Sequence, residues 1–126
     1  MTDKSEYFLR LRKRWFEAVR NRRKTVEGRL YRNQCQLMKP GDIITFINEK
    51  VSSDDIPETV KTKIESLFLA DSFAVLYDQF GNDLLPKECL HDDELLDPPI
   101  VYDKINDYKQ AVENGTKVLG IRIRLV

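Results

Sequence analysis

The stretch Arg23–Leu30, RKTVEGRL, alternates apolar and charged residues and predicts a β-strand over residues 25–31. The period of two separates two sets of side chains, Val26, Gly28 and Leu30 on one face and Thr25, Glu27 and Arg29 on the other. The apolar face requires a hydrophobic core. The charged face either meets water, where ion pairs stabilise by roughly 0–1 kcal/mol, or lines a cleft. Gly28 lets another backbone or a ligand approach closely.

Two elements are predicted before this strand: a strand at 7–11 and a helix at 13–22. Lys24 lies where the helix meets the next strand, so periodicity does not fix the direction of its side chain. After the strand, the turn sequence KPGD at 39–42 precedes a strand at 42–48 that is rich in β-branched residues.

The second half of the chain begins with a polar loop at 49–58 and a long strand at 59–69. Near Glu65-Ser66 the apolar residues of that strand change from even-numbered to odd-numbered positions, which predicts a bulge. Ser72 is placed to cap a helix that ends at Phe80, just before Gly81.

An acidic, proline-containing loop with one helical turn is predicted at 82–99, followed by a helix at 102–113 and a closing strand at 117–126. The order β-α-β-β-β-α-α-β contains few βαβ crossovers, so a doubly wound parallel sheet is disfavoured. We predict an α+β fold, a small and mostly antiparallel β-barrel with flanking helices, formed by a single domain over residues 1–126.

The composition is 41% hydrophobic and 33% charged, with no apolar run near the ~18 residues of a membrane span. The N-terminus lacks the apolar segment of a secretory signal. Cys35 and Cys89 are far apart and are predicted to be free thiols in a reducing compartment. We therefore expect an intracellular protein, cytoplasmic or nuclear, that does not engage a membrane. No metal or organic cofactor is expected, and zinc bound by Cys35, Cys89 and His91 is disfavoured.

Charge is distributed unevenly although the net charge is zero. Residues 1–40 carry 12 Lys and Arg against 4 Asp and Glu, and the remainder carries 9 against 17. One interpretation is a phosphate-binding surface in the first half. The other is that the two halves neutralise each other in the folded domain. The cations form a band: Arg12, Lys13, Arg14, Arg20, Arg22, Arg23, Lys24, Arg29 and Arg32.

The motif Lys24-x-x-Glu27-x-Arg29 resembles most of the signature G-x-K-x-x-E-x-R of the ASCH domain family, a branch of the PUA-like β-barrels. The similarity extends to the flanks, with Trp15-Phe16-x-x-Val19 before the motif, LMKPGDIITF (37–46) after it and TKVLGIRIRLV at the end. One position departs from the family pattern, because Arg22 stands where the family has a glycine that relaxes the turn between helix and strand.

The resemblance implies an RNA-binding domain whose basic cleft takes single-stranded RNA or a nucleotide. It implies that Lys24 contacts phosphate and that Glu27 hydrogen-bonds a base edge or positions Lys24. It also implies that Arg29 forms bidentate hydrogen bonds to phosphate or to Glu27. The predicted nucleic-acid-binding residues are Lys24, Arg29, Arg22, Arg23, Arg32, Tyr31 and Arg14. Tyr7, Phe8, Trp15, Phe16 and Tyr31 are the aromatic candidates for stacking on bases, with Trp15 and Phe16 favoured as core.

The resemblance also leaves a small hydrolase open, either a ribonuclease or an N4-acetylcytidine amidohydrolase. Lys24, Glu27 and Thr25 are the candidate catalytic residues. The family's amidohydrolases have a threonine where this chain has Glu27, which weighs against that activity. A third acid has three candidates, Asp92, Asp93 and Glu94, and His91 could assist a ribonuclease. A further alternative is a protein partner bound through the acidic loop 82–99. The oligomeric state is left open.

Overall fold

The structure is a computed structural model that describes residues 4–49 and 56–126, so most of the predicted loop 49–58 lies outside the described residues. The strands are β1 (Glu6–Leu11), β2 (Val26–Leu30), β3 (Ile43–Asn48), β4 (Thr59–Ala70) and β5 (Val118–Leu125). The helices are α1 (Lys13–Arg20), α2 (Phe73–Phe80), α3 (Ile100–Asp103) and α4 (Tyr108–Glu113). No helix within the described ranges has the length and apolar character to cross a membrane.

One mixed sheet of five strands, in the order β1-β3-β4-β5-β2, curls into a half-barrel with helices packed around it. β1 pairs with β3 in parallel, and the other three pairings are antiparallel. The predicted α+β, barrel-like fold with flanking helices is therefore confirmed, although the parallel β1–β3 pair makes the sheet mixed. β1 and β2 are the two edges of this sheet, and the site described below lies where they approach each other.

The local predictions around β4 and α2 are confirmed. The register of β4 against β5 shifts between Ile64 and Ser66, at the bulge predicted from the change of apolar phase. The Ser72 hydroxyl accepts a hydrogen bond from the Val75 N–H and caps α2, and Gly81 follows the helix with φ of 53°. These features are local, so a few adjacent residue types predict them.

The prediction of one helix over 102–113 is wrong. The chain forms α3 and α4 instead, with Asp107 in the left-handed region at φ of 61°. Asp107 receives two hydrogen bonds from Arg32, whose Nη1 and Nη2 lie 3.0 and 3.1 Å from its carboxylate oxygens. The loop 82–99 also contains more structure than the single turn predicted, with short 3₁₀ turns at Lys87–Cys89 and Asp92–Glu94 after a first at Gly81–Asp83.

Helix α1 ends at Arg20, two residues earlier than predicted, in a turn that fixes the start of β2. The Arg22 N–H donates to the Val19 carbonyl and the Arg23 N–H to the Ala18 carbonyl, a Schellman motif. Arg22 has φ of 67°, a conformation that favours glycine. The departure noted in the sequence, arginine in place of glycine, therefore falls on the residue with left-handed backbone.

Both faces of β2 are buried, which the sequence pattern alone does not require. Val26 and Leu30 pack in the hydrophobic core, as their alternation predicts. On the other face, Glu27 lies opposite Ile121 in the antiparallel register, so the charged face shares the buried surface of β5. Its charges are consequently held away from bulk solvent.

Replacing Arg22 by glycine should stabilise the fold. A left-handed backbone conformation costs a non-glycine residue about 1–2 kcal/mol. Glycine removes that cost but destabilises the folded state by about 0.5–1 kcal/mol, because it gives the unfolded chain more conformational entropy. We expect the free energy of unfolding of Arg22→Gly to rise by roughly 0.5–1 kcal/mol, measured by urea denaturation. Arg23→Gly, which removes the same charge at a residue outside the left-handed region, should instead destabilise. Equal destabilisation by both variants would contradict the strain at Arg22.

Candidate functional site

A cavity of about 320 Å³ opens between the two edges of the sheet and is covered by the segment of α3 and α4. Six cationic side chains line it against two carboxylates, a net charge of +4. The polar lining consists of Arg10, Arg12, Arg14, Lys24, Glu27, Arg29, Glu49, Lys104 and Asn106. The larger apolar and aromatic side chains of the lining are Leu11, Trp15, Leu85, Val101, Tyr102, Ile105 and Tyr108.

Lys24, Glu27 and Arg29 converge in this cavity. The Lys24 Nζ lies 3.4 Å from Glu27 Oε1, and the Arg29 Nε donates to Glu27 Oε2 at 2.6 Å. Lys24 is 3% exposed and Glu27 5% exposed. The Lys24 ammonium also donates to the Leu84 carbonyl, and the Arg29 Nη2 donates to the Arg10 carbonyl at 2.8 Å. One carboxylate is therefore held between two cations that are themselves fixed to the backbone.

Burial and mutual attraction act in opposite directions on these three groups. Burial would raise the pKa of Glu27, but the charges of Arg29 and Lys24 outweigh it and hold that pKa below its ordinary value. Burial lowers the pKa of Lys24, with the nearby Glu27 charge opposing it. The pKa of Arg29 is raised because Glu27 overcomes the cost of its burial. Glu27 and Arg29 are consequently ionised at neutral pH.

Gly28 makes room for Tyr102 beside this cluster. A β-carbon on Gly28 would lie 2.6 Å from the Tyr102 hydroxyl oxygen, so a larger residue would displace that ring. The Tyr102 ring stacks on Phe73 with centroids 3.8 Å apart. Burial, and then the charge of Glu27, raise the pKa of Tyr102 well above its ordinary value, which keeps its hydroxyl neutral. The close approach predicted at Gly28 is thus made by a tyrosine side chain.

Glu94 fixes two cations of the cavity rim. Its side chain is 0% exposed, and it receives Arg14 Nη1 at 2.7 Å, Arg14 Nη2 at 3.0 Å and Lys104 Nζ at 2.7 Å. The hydrogen bonds of Arg14, reinforced by Lys104 and opposed by burial, hold the pKa of Glu94 well below its ordinary value. Glu94 thereby joins α1 to the segment that covers the cavity.

Trp15 supplies an aromatic wall next to the charged cluster. The Arg14 guanidinium lies 4.5 Å and the Lys24 ammonium 5.5 Å from the centre of the indole ring. Tyr31 packs against the core and does not line the cavity, and Phe16 is fully buried. Tyr7 is buried with its hydroxyl donating to the Leu37 carbonyl, whereas Phe8 is exposed. Trp15 belongs to the buried core, as its helical spacing favours, and it is also the one predicted stacking candidate that lines the cavity.

Several residues predicted for the site lie elsewhere. Thr25 and Arg22 line a second groove with Arg122 and Arg124, and the Thr25 backbone bonds to Asp83 and Ile123. Arg32 is paired with Asp107 at the surface, and Arg23 lies 3.8 Å from Glu88. The structure therefore brings Lys24, Glu27, Arg29 and Arg14 together in one cavity. Lys24 also borders the second groove, which Thr25 and Arg22 line without reaching the cavity.

Two of the three acidic candidates in the loop 82–99, Asp93 and Glu94, form ion pairs within the chain. Asp92 and Asp93 are exposed, and Asp93 pairs with Lys104 at 3.0 Å. His91, Asp93 and Glu94 place ligand atoms within 4.8 Å of one another, but both Glu94 oxygens already accept hydrogen bonds from Arg14. The donor set is therefore better suited to a salt bridge than to a metal. Cys35 and Cys89 are free, as expected.

Among the cavity residues that the sequence analysis missed are Arg10, Tyr102, Lys104 and Tyr108. Arg10 alternates with the buried positions of β1, which is a usable signal for a side chain outside the core. The other three come from a segment whose helical pattern was interpreted as one continuous helix. Nothing in their local sequence indicates that this segment folds over β2.

A family model described as the ASCH domain matches residues 9–91, more than half of the chain. The structure is similar to that of hypothetical protein PH0355 (TM-score 0.73, 23% identity, 96% of this chain and 99% of that one). It is also similar to protein PF0455 from Pyrococcus furiosus (TM-score 0.66, 24% identity, 96% of this chain and 97% of that one). The ASCH protein of Zymomonas mobilis, in its S128A form, matches at 0.61 with 15% identity over 98% of this chain and 70% of that one. A comparison with curated proteins found no significant match.

Glu94→Gln should reduce stability in a pH-dependent way. Because the pKa of Glu94 in the folded chain lies below its ordinary value of 4.5, its contribution is complete above pH 4.5 and is lost as the pH falls. At pH 7 we expect the free energy of unfolding of Glu94→Gln to fall by about 2–3 kcal/mol, because Arg14 and Lys104 lose a buried anionic partner. Below that ordinary pKa, the difference in free energy of unfolding between Glu94→Gln and the unsubstituted chain should narrow by roughly 1.4 kcal/mol per pH unit.

Urea denaturation between pH 7 and pH 3 measures this difference. Glu88→Gln serves as the matched control, since its carboxylate is half exposed and lies 3.8 Å from Arg23. That control should change stability by less than about 0.5 kcal/mol at every pH. A loss for Glu94→Gln that stays constant with pH would show that its ionisation is not what stabilises the fold.

Proposed function

The chain belongs to the ASCH domain family, and from that premise we propose that it is an RNA-binding domain that takes one nucleotide of a single strand into the cavity. The observation that carries the proposal is the buried Lys24–Glu27–Arg29 cluster, whose Glu27 and Arg29 are ionised, inside a cationic cavity with aromatic walls. Three features of the cavity support it: its charge, its size and its combination of polar and aromatic groups.

The charge of the cavity suits a phosphodiester. Arg10 and Arg12 are exposed at its rim and, among the residues that the structure describes, form no ion pair. Arg14 and Lys104 keep a fixed position through Glu94 while they face the cavity. Unpaired cations bind backbone phosphate without reading sequence, and this binding weakens as salt rises. Arg10 and Arg12 are thus the proposed phosphate contacts.

The interior of the cavity suits a base. Its volume of about 320 Å³ lies within the range of small-ligand pockets, which is roughly 300–1,000 Å³. Single-stranded RNA is recognised by stacking unpaired bases on aromatic rings and by hydrogen bonds to their edges. Trp15 and Tyr108 provide rings, and Glu27 provides a carboxylate that lines the cavity. A nucleotide inserted here would leave its phosphates beside the rim.

The double variant Arg10→Ala/Arg12→Ala should weaken binding of a fluorescein-labelled single-stranded RNA of mixed sequence. We expect the slope of log affinity against log salt to fall by roughly 0.7 for each cation that contacts phosphate. The side chain of Arg12 makes no capping hydrogen bond, so the fold should be retained. Fluorescence anisotropy at several salt concentrations measures both affinity and slope.

A second double variant, Lys61→Ala/Lys87→Ala, is the control, because both lysines are exposed and lie outside the cavity lining. This control should bind the labelled RNA with an affinity within about twofold of the unsubstituted chain, and with the same slope of log affinity against log salt. Equal loss in the two double variants would indicate diffuse electrostatic binding and would contradict the proposed site. Failure of the natural chain to bind any single-stranded RNA would refute the proposed function.

A hydrolase of RNA is a second candidate, favoured by the buried Lys24 amine whose pKa is lowered by burial. In a ribonuclease, the neutral amine would accept the proton of the 2′-hydroxyl as its oxygen attacks phosphorus. The bond from phosphorus to the 5′-oxygen would break, the 5′-oxygen would take a proton from water, and the product would be a 2′,3′-cyclic phosphate. Arg29 would stabilise the charge on the phosphoryl oxygens. Thr25 has no role in this scheme, because it lines the other groove.

Incubation with end-labelled RNA, and separately with N4-acetylcytidine, tests this candidate. A ribonuclease gives cyclic-phosphate ends, and an amidohydrolase gives cytidine and acetate. We expect Lys24→Met to abolish either product while circular dichroism reports a folded chain. Product formation that persists in Lys24→Met would rule out Lys24 as the catalytic group, and the absence of any product would leave the binding function alone.

A further inference from the structure

We infer that the cavity selects a base with an acceptor–donor–acceptor edge, which among the four RNA bases is the imide edge of uracil. The inference rests on the proposed function, since it assumes that a nucleotide enters the cavity. It comes from the order in which Lys24, Glu27 and Arg29 contact one another. Each of the three side chains lines the cavity.

Glu27 lies between the two cations, because it uses a different oxygen for each. Oε1 faces the Lys24 Nζ at 3.4 Å, and Oε2 faces the Arg29 Nε at 2.6 Å. An ammonium and a guanidinium only donate hydrogen bonds, and an ionised carboxylate only accepts them. The cluster therefore presents donor, acceptor and donor in sequence.

The donors on both sides have hydrogens to spare. The Lys24 ammonium has three N–H groups, of which one donates to the Leu84 carbonyl, and its contact with Glu27 is long. The Arg29 guanidinium has five N–H groups, of which one donates to Glu27 and one to the Arg10 carbonyl. Both backbone contacts fix the direction of the cations, so the pattern is held before a ligand arrives.

Uracil complements this pattern with two carbonyl oxygens on either side of its N3–H. Each of the other three bases places a hydrogen-bond donor against a cation, an acceptor against Glu27, or both. Cytosine and adenine present a ring nitrogen acceptor where Glu27 also accepts, and their amino groups face a cation. Guanine matches through O6 and N1–H, but its amino group meets the second cation. The expected order of affinity is uracil, then guanine, then cytosine and adenine.

The pattern depends on the ionisation state of Glu27. Protonation would convert one oxygen into a donor and remove the central acceptor. The neighbouring charges of Arg29 and Lys24 keep the pKa of Glu27 below its ordinary value, despite the opposing effect of burial. Tyr102 and Tyr108 line the same cavity, and burial raises the pKa of both, so they stay neutral at physiological pH. Burial likewise raises the pKa of the nearby thiols Cys35 and Cys89.

Binding of the full chain to the 5′-labelled octamers rU8, rC8 and rA8 tests the inference. We expect rU8 to bind at least about tenfold more tightly than the other two, the ratio for one well-formed set of base-edge hydrogen bonds. Two modified octamers separate the edge from other causes. N3-methyluridine blocks the central donor and should lose the preference, whereas 5-methyluridine adds a methyl group elsewhere and should keep it.

The modified octamers do not disturb the protein, so the test stands even if a variant fails to fold. Glu27→Gln is a second measurement, since its amide group no longer offers only acceptors and should reduce the ratio of rU8 to rC8 affinity. Equal affinity for the three homopolymers, or equal binding of the two methylated octamers, would overturn the inference while the proposed function stands. Absence of binding by every octamer would overturn both.

Discussion

The Glu27 carboxylate, held between Lys24 and Arg29, is the constraint on which the site depends. Arg29 is the bridge from this cluster to the fold, because its Nη2 donates at 2.8 Å to the carbonyl of Arg10, on the opposite edge of the sheet. The contact joins β2 to β1, two strands that do not pair with each other. One side chain therefore both balances the buried carboxylate and holds together the mouth of the half-barrel, so the cavity is built around the charges.

A buried charge cluster is an expensive way to stabilise a small domain. Removing charges from water costs several kcal/mol for each ion, and apolar residues of similar volume often stabilise a fold as well or better. The same is true of Glu94, whose side chain is fully buried behind the rim. Hydrophobic packing already exists on both sides of β2, through Val26 on one face and the β5 residue Ile121 on the other. The proposed ligand recognition would account for these charges, whereas stability alone does not.

The sequence predicted what depends on neighbouring residues and failed where distant residues meet. The bulge of β4 and the Ser72 cap are visible in short patterns, and both are confirmed. The break before α4 depends instead on Asp107, which is held by Arg32, 75 positions away in the chain. Likewise, the basic band is only partly available for a ligand, since much of it is paired with acids of the second half, as Arg14 is with Glu94. Part of the uneven charge is thus neutralised within the fold, as one of the two interpretations of the sequence has it, and part lines the cavity. Phosphate binding by that second part stays a prediction.

The geometry of the motif itself explains why the position of Lys24 could not be predicted from strand periodicity. Residues three apart on a continuous strand point to opposite faces, so a strand through residue 24 would direct Lys24 away from Glu27. β2 begins at Val26, and Lys24 belongs to the turn that ends α1, with its N–H donating to the Ala18 carbonyl at 3.0 Å. The left-handed backbone of Arg22 reverses the chain within that turn. The spacing K-x-x-E-x-R therefore encodes a helix end followed by a strand, and the convergence of its three charges depends on that junction.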